Sequence, residues 1–215
     1  NYKNVWCTVG VHPHNAGEVD GDYYGELVRL IWKNEDIVVA VGEAGLDYDR
    51  MFSTVDEQRR VFKDLQNTAA GRKLPMFLHE RKAVDDFIRM SKQHRELCKN
   101  SVVHCFTGTK ETAYRYLQMG YNIGLTGWIC DNRRNKDVIE ALKIIPLERI
   151  MVETDAPYLT PLNMKGKALH LERRNTPDNL HYVIEKIAEV KRISYEEVER
   201  VTFENTLRIF DLKEK

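Results

Sequence analysis

Seven residues of the kinds that bind metal ions or move protons follow short apolar runs. His12 and His14 come after VWCTVGV, Glu43 after IVVAVG and His79 after PMFL. His104 comes after SVV, and Glu153 and Asp155 come after RIMV. Taken singly, each has an ordinary explanation. A lone histidine is commonly a hydrogen-bonded support, and an acid just before a proline forms turns. The recurrence is what points to chemistry. Mixed imidazole and carboxylate donors suit Zn²⁺, Mn²⁺ or a related divalent ion. A carboxylate such as Glu43 can bridge two ions, and two ions about 3.5–4 Å apart suit in-line attack on a phosphate ester.

For these residues to act together, the chain must bring their segments to one rim. Strands are expected at Val5–Val11, Ile37–Gly42, Pro75–His79, Ser101–Cys105, Tyr121–Thr126 and Arg149–Glu153. Most are continuous apolar runs, the pattern of parallel strands covered on both faces. Helical stretches lie between them. Val55–Arg72 opens on the capping box Thr54 and Glu57. Ala83–Leu97, Lys110–Met119 and Lys136–Ile144 follow successive strands, and two more helices begin at Thr176–Pro177 and at Ser194 with Glu197. Repeated β–α units imply a parallel sheet, either open or closed into a barrel. In such sheets the C-terminal strand ends share one mouth. Alternation puts Met151, Glu153 and Asp155 on one face, with Pro157 ending the strand. The long irregular stretch Tyr158–Asn175 reads as a functional loop.

The composition narrows the field. Thirty-three Lys and Arg balance 33 Asp and Glu, so attraction of the whole molecule to nucleic acid or membrane is not indicated. Any polyanion must be met by a local patch. Arg133, Arg134, Lys165, Lys167, Arg173 and Arg174 supply one candidate, and Trp128 and Tyr158 could stack on bases. The four cysteines form no CxxC pair and read as reduced thiols of a cytosolic protein, or a nuclear one in a eukaryotic source. No apolar run spans a membrane. The P-loop and serine-hydrolase signatures are absent.

The segments TVGVHPH, VVAVGEAGLDYDR, LPMFLHERKAVDDF, VVHCFTGT, IGLTGWICDNRR, ERIMVETDAPYL and RRNTP resemble the TatD family of metal-dependent deoxyribonucleases, in order and spacing over nearly the whole chain. The resemblance implies a TIM-like (β/α) barrel and hydrolysis of DNA phosphodiesters, exonucleolytic from single-stranded 3′ ends, with RNA as a further substrate. It puts Glu43, His79, His104 and Asp155 on the metal positions, with two divalent ions, Mg²⁺ by resemblance and Zn²⁺ or Mn²⁺ as alternatives. It puts His12 on the substrate side. His14, Arg81, Arg173 and Arg174 join it as candidate substrate contacts, and Glu43 and Asp155 are the candidate catalytic acids.

The family also carries an earlier segment with two β–α units and a first metal motif. The expectation is therefore a single domain over 1–215 with six of eight barrel strands and those first units missing. Ala44 and Glu80 stand where the family commonly has cysteine. Two other readings remain: a C–N hydrolase of the amidohydrolase type, and a truncated remnant without activity.

Overall fold

The computed structural model describes residues 4–164 and 174–212. In chain order the elements are β1 (Cys7–Val9), α1 (Tyr23–Lys33), β2 (Val38–Asp47), α2 (Val55–Arg72), β3 (Met76–Arg81), α3 (Val84–Ser91), α4 (Arg95–Cys98), β4 (Val102–Val103), α5 (Lys110–Met119), β5 (Asn122–Leu125), α6 (Lys136–Ile144), β6 (Ile150–Val152), α7 (Leu180–Lys191) and α8 (Tyr195–Ile209). Six strands thus lie among the described residues. No helix there is long and apolar enough to cross a membrane. The chain divides into two compact units: residues 1–103, 119–121 and 207–215, and residues 104–118 and 122–206.

In the first unit β1, β2, β3 and β4 pair in parallel, each with the next. β2 is buried along nearly its whole length, as its continuous apolar run predicts. α2 begins where expected. Thr54 Oγ1 accepts the Glu57 N–H, Glu57 Oε2 accepts the Thr54 N–H, and Lys73 in the left-handed region ends the helix. Val61, Phe62, Leu65 and Ala69 form its buried face. The Phe62 ring stacks on Phe87 of α3 at 5.4 Å. Both side chains are fully buried, and each contributes about 1.5–3 kcal/mol of apolar burial.

Three expectations are corrected in this unit. β2 does not end at Gly42 but runs to Asp47, so Glu43 sits mid-strand, at a register shift between Gly42 and Ala44. Gly45 permits the extension. Its φ is +148°, and a Cβ there would lie 1.8 Å from the His79 carbonyl oxygen. The helix expected over Ala83–Leu97 breaks into α3, a 3₁₀ turn at Lys92–His94 and α4. β1 is shorter than expected and its Cys7 and Thr8 are exposed, because only β2 pairs with it among the described residues. Helix α1 adds a segment that no strand–helix count had included; Leu27 and Ile31 are its buried positions.

In the second unit β5 and β6 pair in parallel, Ile123 opposite Ile150 and Leu125 opposite Val152. Val138, Ala141 and Leu142 of α6 and Val183, Ile184 and Ile187 of α7 are buried. Arg192 in the left-handed region ends α7, and Lys191 Nζ donates to the Leu142 and Ile145 carbonyls at 3.0 and 2.5 Å. α8 opens with Ser194 Oγ accepting the Glu197 N–H at 3.1 Å, the start read from sequence. Buried Asn205 donates to the Leu147 and Ile150 carbonyls, both at 2.9 Å, tying α8 to the start of β6. All four cysteines are free thiols.

Candidate functional site

In the first unit the strand pleat decides which side chains meet. Glu43, Gly45 and Asp47 recur along β2, and β3 pairs Gly45 with His79. Glu43 Oε1 lies 3.0 Å from His79 Nδ1 and 3.3 Å from His12 Nε2. His12 caps the short turn Pro13–Asn15, its Nδ1 accepting the His14 N–H at 3.1 Å. That acceptance leaves the proton of neutral His12 on Nε2, the nitrogen facing Glu43. Ligand nitrogens of His12, His14 and His79 come within 4.8 Å of one another. The sequence-predicted His12, His14, Glu43 and His79 therefore gather in this unit. Arg81 is half exposed and pairs through Nε with Asp49 Oδ2 at 2.9 Å; Lys82 pairs with the same carboxylate.

Asp47 was not among the residues singled out from sequence. Its side chain is 1% exposed, and its Oδ2 lies 2.7 Å from His14 Nε2 and 3.2 Å from His79 Nε2. Its Oδ1 accepts the Asp49 and Arg50 backbone N–H groups at 3.0 and 2.8 Å. Buried Gln58 holds the strand end itself, accepting the Asp47 N–H and donating to the Asp47 and Ser53 carbonyls. Burial pushes the Asp47 carboxyl up, but hydrogen bonds from His79, the Arg50 N–H and His14 outweigh it. The acid is held well below the usual carboxylate range. Alternation continued past Gly42 along Glu43, Gly45 and Asp47 would have found Asp47, had the expected strand not been ended at Gly42.

In the second unit His104 is buried, its Nδ1 3.5 Å from Glu153 Oε2. The same oxygen accepts the Cys105 N–H at 3.2 Å. Cys105 has φ +46°. Glu153 lies over β5 at Gly124, where a Cβ would meet Glu153 Oε1 at 1.8 Å. That Oε1 is buried and has no hydrogen-bond partner among the described residues. A buried carboxylate oxygen in that state calls for a cation or a donor.

Asp155 stands past the end of β6, not on its face. Its φ of +55° breaks the alternation with Glu153, a conformation Asp tolerates better than most residues. Its carbonyl accepts the Tyr158 N–H at 2.8 Å. Buried Asn175 braces this loop, with Nδ2 donating to the Thr154 carbonyl at 2.8 Å and its N–H to the Pro157 carbonyl at 3.0 Å. Asn175 lies in the RRNTP segment, but nothing local in that segment signals this role.

Beside the loop a cleft of about 390 Å³ is lined by Asp131, Arg133, Arg134, Tyr158 and Leu162, among others. Arg133 and Arg134 both pair with buried Asp131, at 2.8 and 2.9 Å. The Arg133 hydrogen bonds hold that acid down to about 2. The Arg134 guanidinium also lies 3.8 Å from the centre of the Trp128 ring. Tyr158 is 71% exposed and Arg174 is exposed. Lys165, Lys167 and Arg173 lie outside the described residues.

Within the first unit the donors fit a divalent ion: Glu43 Oε1 and His79 Nδ1 stand 3.0 Å apart, the spacing of two ligand atoms on one cation.

Residues 1–211 match the family of TatD-related DNases. The chain is 41% identical over 207 residues, 96% of its own length and 78% of the other's, to the 3′-5′ ssDNA/RNA exonuclease TatD of Pectobacterium parmentieri. Among solved structures it is similar to a hydrolase TatD family protein from Entamoeba histolytica, with a TM-score of 0.83 and 32% identity, covering 95% of this chain and 74% of that one. It is also similar to the TatD homologue YjjV of Escherichia coli K12, with a TM-score of 0.87 and 28% identity, covering 99% and 79%. The fold class is accordingly α/β of the TIM-like barrel type. The chain belongs to the TatD-related DNases, a family of metal-dependent hydrolases that act on phosphodiester bonds.

Proposed function

We propose that the chain removes nucleotides from single-stranded 3′ ends of DNA, and of RNA at the same site. Glu43, His79, His104 and Asp155 are its metal ligands. The observation that carries the reading is the 3.0 Å approach of His79 Nδ1 to Glu43 Oε1 in a chain that matches the family over residues 1–211. Support for the substrate comes from the relatives, whose names specify a 3′-5′ ssDNA/RNA exonuclease.

Divalent ions held there would lower the pKa of an attacking water and offset the charge growing on the phosphate. The side chains do the rest. His12 presents an Nε2–H and can donate to a phosphate oxygen beside Glu43. Asp155 takes the proton of the attacking water. Arg81 and Arg174 contact the phosphate backbone. Arg133 and Arg134 are already shared with Asp131, so they contribute a net single positive charge to the second unit's cleft.

The test uses a single-stranded oligodeoxynucleotide labelled at its 5′ end, with Mg²⁺ or Mn²⁺ added or chelated. The expected product is a ladder of one-nucleotide steps that vanishes on chelation. Shortening from the 5′ end, internal cuts alone, or turnover of a dihydropyrimidine amide in place of the oligonucleotide would overturn the proposal.

A further inference from the structure

Asp47 has four acceptor positions on its two carboxylate oxygens, and four N–H groups face them. Oδ1 takes the backbone N–H groups of Asp49 and Arg50 at 3.0 and 2.8 Å. Oδ2 faces Nε2 of His14 at 2.7 Å and Nε2 of His79 at 3.2 Å. An ionised carboxylate only accepts, so in each neutral imidazole the proton sits on Nε2 and the lone pair on Nδ1. For His79 that Nδ1 is the nitrogen 3.0 Å from Glu43 Oε1. A lone pair facing a carboxylate oxygen at that distance is repelled unless a cation joins them.

We propose that Asp47 is a positioning residue that locks His79 as the Nε2–H tautomer and aims its Nδ1 lone pair beside Glu43 as a metal ligand. The inference rests on the reading of Glu43 and His79 as ligands given above. It also separates the two acids of β2. Glu43 is the ligand, whereas Asp47 cannot take an ion without displacing one of its four N–H donors. The same bond holds His14 as a support: its Nε2 is occupied by Asp47, and its carbonyl accepts Ser53 Oγ–H at 2.8 Å. Orienting carboxylates of this kind raise the basicity of a ligating histidine and fix its ring, and their loss typically lowers metal affinity about 10–100-fold.

The experiment reads the tautomer directly. Nitrogen-15 correlation spectra of the imidazoles are recorded on metal-free protein at about pH 8, above the ordinary imidazole range. The His79 signals are assigned with a His79→Gln variant. The expected wild-type spectrum has a protonated Nε2 and a bare Nδ1. In Asp47→Asn the amide places a donor among the imidazole donors. The His79 tautomer should then shift toward Nδ1–H, and calorimetric Mn²⁺ affinity should fall about 10–100-fold. An unchanged tautomer and affinity in that variant would overturn the proposal. Should Asp47→Asn fail to fold by circular dichroism, the wild-type spectrum decides alone, and a protonated Nδ1 on His79 refutes the inference. Absence of any Mn²⁺ binding by wild type would instead remove the metal reading of the site, a result separable from the tautomer.

Discussion

Asp47 in the first unit is buried and Glu153 in the second is largely so, and both stand against a histidine, yet their surroundings differ. Asp47 meets four N–H donors and has no acceptor position left. Glu153 uses one oxygen, toward His104 and the Cys105 N–H, and leaves the other buried without a partner among the described residues. A saturated carboxylate is a fixed scaffold, because moving it breaks several charge-assisted bonds at once. A half-satisfied one bears an unmet cost that a bound cation or donor would remove. The two acids therefore do different work beside their histidines: Asp47 closes β2, and Glu153 follows directly on β6.

The largest effect that separates the two surroundings should come from the glycines that make room for them. Gly45→Ala puts a Cβ 1.8 Å from a backbone oxygen at a positive φ, so β2 and β3 must part; a loss of about 3–5 kcal/mol in denaturant unfolding is expected. Gly124→Ala meets only the far end of the Glu153 side chain, which can swing away, so its cost should be smaller. Equal costs would show that the crowding over β5 is as rigid as that between β2 and β3.

Next in size is Asp47→Asn, expected to lose about 2–4 kcal/mol at neutral pH through its imidazole bonds. The sign with pH follows from the lowered pKa of Asp47. The stabilisation is fully present above about pH 4, the unfolded value, and fades as pH falls through the lower folded one. The gap between wild type and variant should thus close in acid, and a gap that widened there would contradict the assignment.

Glu153→Gln should change stability by less than about 1 kcal/mol, because the amide oxygen can keep the Cys105 bond and the amide group takes the place of the orphaned oxygen. A loss as large as that of Asp47→Asn would erase the contrast. The smallest effect is expected at Arg81. Its pair with Asp49 is half exposed, so Arg81→Ala should cost about 0.2–0.5 kcal/mol while raising KM for the oligonucleotide with kcat little changed.

Much of this arrangement is legible in the chain because it is local. The largely apolar runs of Ile37–Gly42 and Tyr121–Thr126 announce covered parallel strands. Thr54 with Glu57 and Ser194 with Glu197 mark helix starts that depend only on residues three apart. Lys110–Met119 and Lys136–Ile144 have the bounds their patterns suggest. α1 escapes because Leu30 and Trp32 on its outer face are exposed and blur the apolar stripe carried by Leu27 and Ile31. The extension of β2 escapes because Gly42 closes the apolar run and resembles punctuation. The role of Asp47 depends on His14, 33 residues away, and His79, 32 residues away, and that of Asn175 on a carbonyl 21 residues earlier. Such partners are set by the register of β2 against β3 and by loop packing, which no local pattern encodes.

The central claim is that the imidazoles and acids following separate strands serve one metal-dependent cleavage of phosphodiesters. Its most direct test strips the protein of metal and follows oligonucleotide cleavage while Mg²⁺ or Mn²⁺ is restored, for wild type, His79→Ala and His104→Ala, with folding checked by circular dichroism. The account predicts that wild type regains cleavage and that each folded variant is slower by at least about 10²-fold. Cleavage without metal, or wild-type rates in both variants, would contradict it.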